Sequence, residues 1–391
     1  MLAGIRVLDF GRYIAGPFCA ALLADMGAEV IRIERVEGGE DRYVAPVAAD
    51  GSGTLFMTAN RNKKGMTLDP MKPEGREIVQ KLVASADLVV ANMPLAALKA
   101  MRIDYDSLCA IKPDIILVMA SAFGSSGPYA DKIGFDTVAQ AMSGAMHLSG
   151  FGGQPTRNIV LFEDYGTSLF AAFGALCALF ERQKSGRGQC VDTSLLATSV
   201  NFMNNLLIEQ QVIGKQRRQQ GNRSYYAAPA DTFKTKDGWL VVSVVGNPIF
   251  RRWAELMGRA DLIAHPDLQD DEARAEHAHL LDEVMMSWCQ ARTNQECLAA
   301  LEHARIPCGP VNDLRTFQHD PQVDQQQLLQ PVEYPGAPTA VPIADTPARL
   351  SRTPGSIRHV APTLGQDTDS ILTALGYSPD ALIDLRSKRV I

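Results

Sequence analysis

The sequence lacks the features by which several large classes of protein are recognised. Its seven cysteines include no C-x-x-C pair, so the common zinc and thiol-redox motifs are excluded. No run of Lys and Arg is long enough to follow a phosphate backbone, and the formal net charge is −6. No uninterrupted apolar stretch approaches the about 18 residues of a membrane span. We therefore expect a cytoplasmic protein with reduced cysteines and no nucleic-acid or membrane partner.

Short catalytic signatures are missing as well. The loop at residues 11–17 (GRYIAGP) does not have the G-x-G-x-x-G spacing of a dinucleotide site, and no G-K-S or G-K-T follows it. There is no G-x-S-x-G elbow of a hydrolase. His277 and His279 lie two positions apart in a helical stretch and would face different sides of it, which makes them a poor metal pair. We expect no bound metal and no tightly held cofactor.

What the sequence does contain is an alternation of apolar strands and helices. Residues 5–10 (IRVLDF) have the pattern of a buried strand, a helix follows from near Pro17 to Gly27, and a second strand begins at residue 28. The pattern repeats up to a strand at residues 114–124. Because consecutive strand-helix-strand units form parallel sheets, we predict a doubly wound, Rossmann-like α/β fold whose ligands bind at the C-terminal ends of the strands.

Changes in composition divide the chain into domains. Residues 212–223 are polar and basic, and the segment after them has the pattern of a second, smaller α/β unit. Residues 321–354 are rich in Pro and Gln and lack periodicity, which predicts an extended crossover. We therefore predict a large domain over residues 1–210, a small domain over residues 225–315, and a C-terminal segment over residues 320–391.

One carboxylate stands at the head of a long buried helix. Asp164 lies just before an apolar helical stretch, residues 166–183, so its side chain would face free backbone N–H groups at the positive end of the helix dipole. Such an Asp is either a simple helix cap or a catalytic group, and the residues alone leave both interpretations open. Glu163 precedes it in a segment expected to be extended, so its side chain would point away and take no part in chemistry.

Eight motifs, in order along nearly the whole chain, resemble those of the family III CoA-transferases, the CaiB/BaiF family. One of them is Asp164 with the Gly-Thr-Ser that follows it within residues 164–168, and this Asp matches the catalytic aspartate of that family. The other motifs lie at residues 4–34, 60–69, 86–94, 123–144, 178–192, 306–313 and 364–377. The resemblance implies a large Rossmann-like domain built from both chain termini, a smaller inserted α/β domain, and two interlocked protomers.

In enzymes of this family CoA lies along the large domain and is a substrate. The positions of this chain that match its contacts are Ile14, Ala15, Arg35, Leu68, Met71, Asn92, Lys132, Phe135 and Asp136. Arg35 follows the second strand, where an adenosine phosphate would lie, although a plain surface arginine is the alternative. The resemblance thus implies an acyl-CoA and a small carboxylic acid as the partners of an intertwined homodimer.

The chain departs from the family pattern at positions that bear on CoA and acid binding. Met93 stands where many relatives have Arg, and Ala100 replaces a further Arg that contacts CoA. Lys99 and Arg102 flank that alanine, and we expect them to contact the CoA phosphates. No glycine-rich loop follows Asp231, which disfavours formate and oxalate as substrates.

Three arginines lie in the polar linker that follows the large domain. A second carboxylate on the substrate would suit them, which favours dicarboxylic acids such as succinate or another C4 to C5 diacid. A solvated basic linker is the alternative. The residues are Arg217, Arg218 and Arg223.

Two other functions stay open at this point. The α-methylacyl-CoA racemases share the motif series but pair the Asp with a His in the segment matching residues 134–140, where this chain has Phe135. A phenyl ring cannot transfer a proton, so this residue favours CoA transfer. A non-catalytic CoA-binding protein is favoured by Met93 and Ala100 and disfavoured by Asp164. We predict a CoA-transferase that works through an aspartyl anhydride and an aspartyl-CoA thioester.

Overall fold

The computed structural model describes residues 1–391, which form two compact units. The large unit consists of residues 1–143, 158–207 and 322–391, and the small unit consists of residues 144–157 and 208–321. The large unit is therefore assembled from three separate stretches of chain, the last of which follows the small unit in sequence. No helix in either unit has the length and apolar character to cross a bilayer.

A six-stranded parallel sheet forms the centre of the large unit. Its strands are β1 (Arg6–Asp9), β2 (Glu29–Glu34), β3 (Lys63–Thr67), β4 (Leu88–Ala91), β5 (Ile116–Ser121) and β6 (Cys190–Ser194), in the order β3-β2-β1-β4-β5-β6. The strand order reverses at the boundary between β1 and β4. The predicted doubly wound α/β fold is confirmed, and the loops after β1 and β4 lie at the edge where such sheets bind ligands.

Helices cover both faces of this sheet. One face packs against α1 (Ala15–Asp25) and α8 (Phe162–Ser185), and the other packs against α3 (Pro73–Ala84) and α5 (Tyr105–Ile111). Because neighbouring strand residues point to opposite faces, a strand covered on both sides is apolar at every position, as β4 is. Further helices are α2 (Thr54–Asn60), α4 (Leu95–Met101), α6 (Asp136–Met142) and α9 (Leu195–Ile213).

The C-terminal stretch completes the large unit beside β3. The N–H of Gly65 donates to Oδ2 of Asp367 over 2.8 Å, and the N–H of Thr67 donates to Oγ1 of Thr368 over 3.1 Å. The apolar side chains of Ile371 and Leu372 join the core on that face of the sheet. The elements of this stretch are α15 (Pro321–Gln325), the antiparallel pair β10 (Leu329–Val332) and β11 (Val341–Ala344), α16 (Thr368–Ala374) and α17 (Pro379–Ser387).

The small unit has its own sheet and core. Its antiparallel sheet contains β7 (Ala230–Lys234), β8 (Trp239–Ser243) and β9 (Cys308–Pro310), and its core surrounds the fully buried Trp253. Its helices are α7 (Ala145–Leu148), α10 (Asn247–Leu256), α11 (Asp271–Glu276), α12 (Ala278–Gln290), α13 (Asn294–His303) and α14 (Leu314–Gln318). Short 3-10 turns occur at Glu40–Tyr43 in the large unit and at Ala260–Ala264 and Pro266–Leu268 in the small unit.

Candidate active site

The loops after three neighbouring strands of the large unit enclose one cleft, which we call the Asp164 cleft. Residues 12–15 follow β1, residues 92–94 follow β4, and residues 120–122 end β5. The segment 130–135 and Asp164 close the remaining sides. Five residues identified from the sequence therefore meet here, namely Ala15, Asn92, Lys132, Phe135 and Asp164.

Asp164 lies inside the first turn of α8, which corrects the expectation that it precedes the helix. The helix begins at Phe162, and Leu161 is its N-cap without a side-chain hydrogen bond. The carboxylate of Asp136 supplies the missing cap from another element: its Oδ2 accepts from the N–H groups of Glu163 over 2.9 Å and of Asp164 over 3.1 Å. This external cap satisfies the exposed N–H groups and lets the helix begin two residues before Asp164.

The surroundings of the Asp164 carboxyl favour its neutral form, although the N-terminus of α8 favours the charged form. Burial, followed by the negative charges of Asp136 and Glu163, raises the pKa of Asp164 to about 7. Glu163 is helical and fully buried, so the expectation of an extended residue that points away is wrong. Burial also raises the pKa of Glu163. A half-buried carboxyl whose pKa lies near neutrality is typical of a group that takes part in chemistry.

The amide of Asn92 fixes the loop that follows β1. Its Oδ1 accepts from the N–H of Arg12 over 2.7 Å, and its Nδ2 donates to the carbonyl of Arg12 over 2.6 Å. The next residue, Tyr13, has a left-handed φ of 59°, and its ring meets the ring of Phe135 edge-on with 5.4 Å between centroids. Asn92 therefore shapes the cleft wall, and the two rings form part of that wall.

A buried ion network also contacts the loop that follows β1. Nζ of Lys63 donates to Oδ2 of Asp9 and to the carbonyl of Pro17, each over 2.7 Å. The guanidinium of Arg32 donates to the carbonyl of Gly11 and pairs with Asp41 over 2.7 Å. Sequence reasoning missed this network, although charged residues within otherwise apolar strands are a signal for buried ion pairs. The network anchors the backbone that borders Asp164.

A second opening, which we call the cationic cleft, adjoins the first. It contains Arg35, Leu68 and Met71, which the sequence had identified, and it is lined by Lys72 and Arg389 as well. The carbonyls of Lys388 and Arg389 accept hydrogen bonds from Nζ of Lys72. Five residues line both openings, so the two clefts form one groove; they are Arg12, Tyr13, Met93, Pro94 and Ile133.

The other residues selected from the sequence lie outside the surfaces of both clefts. Ile14 is buried behind the first loop, and Asp136 is buried beneath α8. Lys99 and Arg102 are exposed, whereas Ala100 between them does line the cationic cleft. The cationic side chains that line this cleft are Arg12, Arg35, Lys72 and Arg389. Arg35 pairs with Glu40 over 2.9 Å and Arg389 pairs with Glu37, and both of these carboxylates also line the cleft. Lys72 and Arg389 lie far apart in sequence and escaped sequence reasoning.

Two linker arginines of the small unit are already paired with carboxylates of the protein. Arg217 donates two hydrogen bonds to Glu209, over 2.7 and 2.6 Å. Arg223 lies 2.6 Å from Oδ2 of Asp282. The backbone carbonyl of Arg218, the third linker arginine, accepts a hydrogen bond from the hydroxyl of Tyr225. No group of His, Cys, Asp and Glu side chains in residues 1–391 is arranged to hold a metal ion.

Comparison with known proteins agrees with this arrangement. The model of the CoA-transferase family III matches residues 2–368. The chain belongs to this family. The β subunit of succinyl-CoA–L-malate CoA-transferase from Chloroflexus aurantiacus is 34% identical over 397 residues, which cover 100% of this chain and 98% of that one. The predicted family and the predicted enzyme class, a CoA-transferase, are confirmed.

Other relatives of this family III CoA-transferase include human and bacterial proteins. Human succinyl-CoA:glutarate CoA-transferase is 30% identical over 393 residues, which cover 100% of this chain and 90% of that one. A crystal structure of a CaiB/BaiF family protein from Brucella suis superposes with a TM-score of 0.84 at 30% identity, covering 96% of this chain and 99% of that one. The fold of the CoA-transferase is therefore that of the CaiB/BaiF family.

Proposed function

We propose that this CoA-transferase moves CoA from an acyl-CoA to a free dicarboxylic acid and that Asp164 carries the covalent intermediates. The observation that carries the proposal is the half-buried carboxyl of Asp164 in a cleft that continues into a cationic cleft. Its pKa of about 7 leaves a substantial carboxylate fraction at neutral pH and makes that carboxylate more basic than an ordinary one.

The chemistry conserves the thioester energy in four exchanges. The Asp164 carboxylate attacks the thioester carbonyl, and the CoA thiolate leaves, which gives a mixed anhydride. The thiolate then attacks the Asp164 carbonyl of this anhydride. The donor acid leaves as a carboxylate, and an aspartyl-CoA thioester remains on the enzyme. In the third exchange the acceptor carboxylate attacks this thioester and the thiolate leaves, which gives a new anhydride between Asp164 and the acceptor. In the fourth exchange the thiolate attacks the acceptor carbonyl of that anhydride. This releases the new acyl-CoA and the Asp164 carboxylate.

The groove offers a path for CoA. In this proposal the pantetheine arm passes the shared wall of Met93, Pro94 and Ile133, and its thiol end reaches Asp164. The phosphates then lie among the cationic side chains of the second cleft, since guanidinium and ammonium groups bind phosphate by charge-assisted hydrogen bonds. This path assigns the phosphate contacts to Arg35, Lys72 and Arg389 instead of Lys99 and Arg102. Arg35 and Arg389 form exposed ion pairs with Glu40 and Glu37, so in this proposal they exchange those partners for phosphate.

Substitutions in the cationic cleft test this path. Arg389→Ala is expected to raise KM for acyl-CoA about tenfold, because one charge-assisted contact to a phosphate contributes roughly 1.5 kcal/mol. The value of kcat should change little, since the phosphates are remote from the reacting carbonyl. Arg102→Ala is the matched control, because this exposed guanidinium does not line the groove. Steady-state kinetics that show the larger KM effect for Arg102→Ala would contradict the assignment.

Relatives with curated names support the choice of a dicarboxylic acid as acceptor. Three of these relatives are named for CoA transfer between succinyl-CoA and L-malate, D-citramalate or glutarate. These acids are short diacids, which is the class expected from the sequence. Because Arg217 and Arg223 are paired within the protein, those two arginines give this choice no independent support.

A single-turnover experiment tests the proposed function. The enzyme is mixed with succinyl-CoA and glutarate labelled with ¹⁸O in its carboxyl groups, quenched, and digested. In the anhydride between glutarate and Asp164, the bridging oxygen comes from the labelled glutarate. It stays on Asp164 when the thiolate attacks the glutaryl carbonyl, so the Asp164 peptide should gain ¹⁸O and glutaryl-CoA should appear. Acetate and butyrate are the comparison acids. Product formation without ¹⁸O on Asp164 would contradict the covalent route, and α-deuterium exchange without transfer would favour racemisation.

An exposed apolar row supports the proposed homodimer. Along α8 of the large unit, Phe173 is 66% exposed, Phe180 is 62% exposed and Leu169 is 54% exposed. Monomeric proteins seldom leave such a row open to water. A second copy of the chain suits this face, and light scattering of the purified protein would report the dimer. The cytoplasmic location expected from the sequence stays a prediction.

A further inference from the structure

The buried carboxylate of Asp136 is the centre of a hydrogen-bond network. This residue opens α6 and is 2% exposed. Its Oδ2 accepts from the backbone N–H groups of Glu163 and Asp164, and its Oδ1 accepts from Nε2 of Gln140 over 2.5 Å. Three donors thus converge on one carboxylate, and two of them belong to the first turn of α8.

The position of that carboxylate is itself fixed. Gln140 lies one turn along α6 from Asp136 and is 1% exposed. Its Oε1 accepts from the N–H of Asn158 over 2.9 Å. Both ends of the Gln140 amide are therefore used, which orients the amide and directs its N–H toward Asp136. The chain of contacts runs from Asn158 through Gln140 and Asp136 to the backbone of Asp164.

The charges around Asp164 come from several elements. Asp136 on α6 and Glu163 on α8 are the two anionic neighbours that affect its charge. Tyr165 follows it on α8, and Tyr13 lines the cleft from the loop after β1. The cationic groups lining the cleft are Arg12, from that loop, and Lys132, from the segment before α6. Burial, followed by the charges of Asp136 and Glu163, raises the pKa of Asp164 to about 7.

We propose that Asp136 is a positioning residue of the transferase: its carboxylate fixes the first turn of α8 and places a negative charge beside Asp164. The inference rests on the proposed function, because it assumes that Asp164 is acylated. When the Asp164 carboxylate attacks the thioester carbonyl and the CoA thiolate leaves, the negative charge moves from Asp164 to the thiolate. The anhydride that remains on Asp164 is neutral, so the repulsion from Asp136 is relieved in the direction of acylation.

Two substitutions separate the geometric role from the electrostatic role. Asp136→Asn keeps the volume and one acceptor oxygen but removes the charge. The acid limb of kcat/KM for acyl-CoA is expected near pH 7 in the wild-type enzyme and about one pH unit lower in this variant, because the pKa of Asp164 falls when a like charge is removed. Asp131→Asn, a change of an exposed Asp in the preceding segment, is the matched control and should leave the profile unchanged.

Asp136→Ala removes both the charge and the cap. We expect kcat to fall about 100-fold, because loss of the cap misplaces the nucleophile, while KM for acyl-CoA stays within about threefold of the wild-type value. A purely structural role would instead lower the yield of folded protein and leave the kcat of the folded fraction unchanged. If the acid limb of kcat/KM in Asp136→Asn coincides with that of the wild-type enzyme, the electrostatic role is overturned. If Asp136→Ala keeps the wild-type kcat, the geometric role is overturned.

A measurement without turnover keeps this test separate from the proposed function. The pH dependence of carbodiimide labelling of the Asp164 peptide, followed by mass spectrometry, reports the protonation of this carboxyl directly. The midpoint should shift to lower pH in Asp136→Asn and stay in place in Asp131→Asn. If Asp164 never acquires ¹⁸O yet the midpoint shifts, the covalent mechanism fails and the influence of Asp136 stands. If the oxygen is transferred and the midpoint does not shift, the proposal for Asp136 fails alone.

Discussion

Asp164→Asn is expected to abolish CoA transfer, with kcat lowered by at least about 10⁴-fold, the scale seen when a covalent nucleophile is removed. An amide lacks the nucleophilic carboxylate oxygen that forms the anhydride, and no other carboxyl group lines the same cleft. The cleft and the groove for CoA should persist, because Asn has nearly the volume of Asp and the side chain of Asp164 caps no helix. Stopped-flow or coupled assays of acyl-CoA formation provide the measurement.

The control for this substitution is binding of the substrate. Calorimetric titration of Asp164→Asn with acyl-CoA should give a Kd within about threefold of the wild-type value, since the groove is unchanged. Asp192→Asn offers a matched substitution of an Asp on β6, which does not line the Asp164 cleft, and it should retain transfer. Turnover in Asp164→Asn above about one tenth of the wild-type rate would exclude this residue as the nucleophile.

Asp9→Ala is expected to lower the free energy of unfolding by about 3–5 kcal/mol, the usual cost of breaking a buried ion pair by removing one partner. Lys63 and Asp9 have fully buried side chains, so the ammonium group would lose its counter-charge without gaining water. Burial already lowers the pKa of Lys63 to about 8 despite the opposing charge of Asp9, and this pKa would fall further in the variant. The deficit should therefore be largest below the lowered pKa of Lys63 in the variant, shrink as the pH rises from there to about 8, and stay constant above the wild-type pKa of Lys63.

Urea unfolding curves at pH 7 and pH 9 measure this effect. The neighbouring pair Lys64–Glu29 is the control, since its side chains are 51% and 35% exposed and Glu29→Ala should cost less than about 1 kcal/mol. Replacing Lys63 by Met together with Asp9→Ala should recover part of the loss, because no unpaired ammonium is then buried. Equal losses for Asp9→Ala and Glu29→Ala would show that the buried network contributes no more than a surface pair.

The inner strands of the central sheet were predictable because they are buried on both faces. Such strands consist of short apolar runs, and β1, β2 and β5 lie within the predicted segments. The start of α8 could not be predicted, because its cap comes from Asp136, which lies 28 positions before Asp164 in the sequence. Local patterns report caps only when the capping residue is adjacent to the helix.

The candidate site was predictable only in part and only through resemblance. Asp164 alone could have been an ordinary cap, and the motif series gave it a catalytic interpretation. The cationic cleft shows why other residues were missed: Nζ of Lys72 donates to the carbonyl of Arg389, 317 positions away. A contact of this range leaves no periodicity or spacing in the sequence, so sequence reasoning considered only the basic residues nearest to Ala100.

The three-part composition of the large unit has a consequence for biosynthesis. The hydrogen bond from the N–H of Gly65 to Asp367 joins residues 302 positions apart. At about 5–20 residues per second, a ribosome needs roughly 15–60 s to deliver that partner after β3 has emerged. During this interval the edge of β3 and the apolar face that Ile371 and Leu372 later cover are open to other chains. Overexpression should thus favour inclusion bodies, and a supply of chaperones should improve the soluble yield.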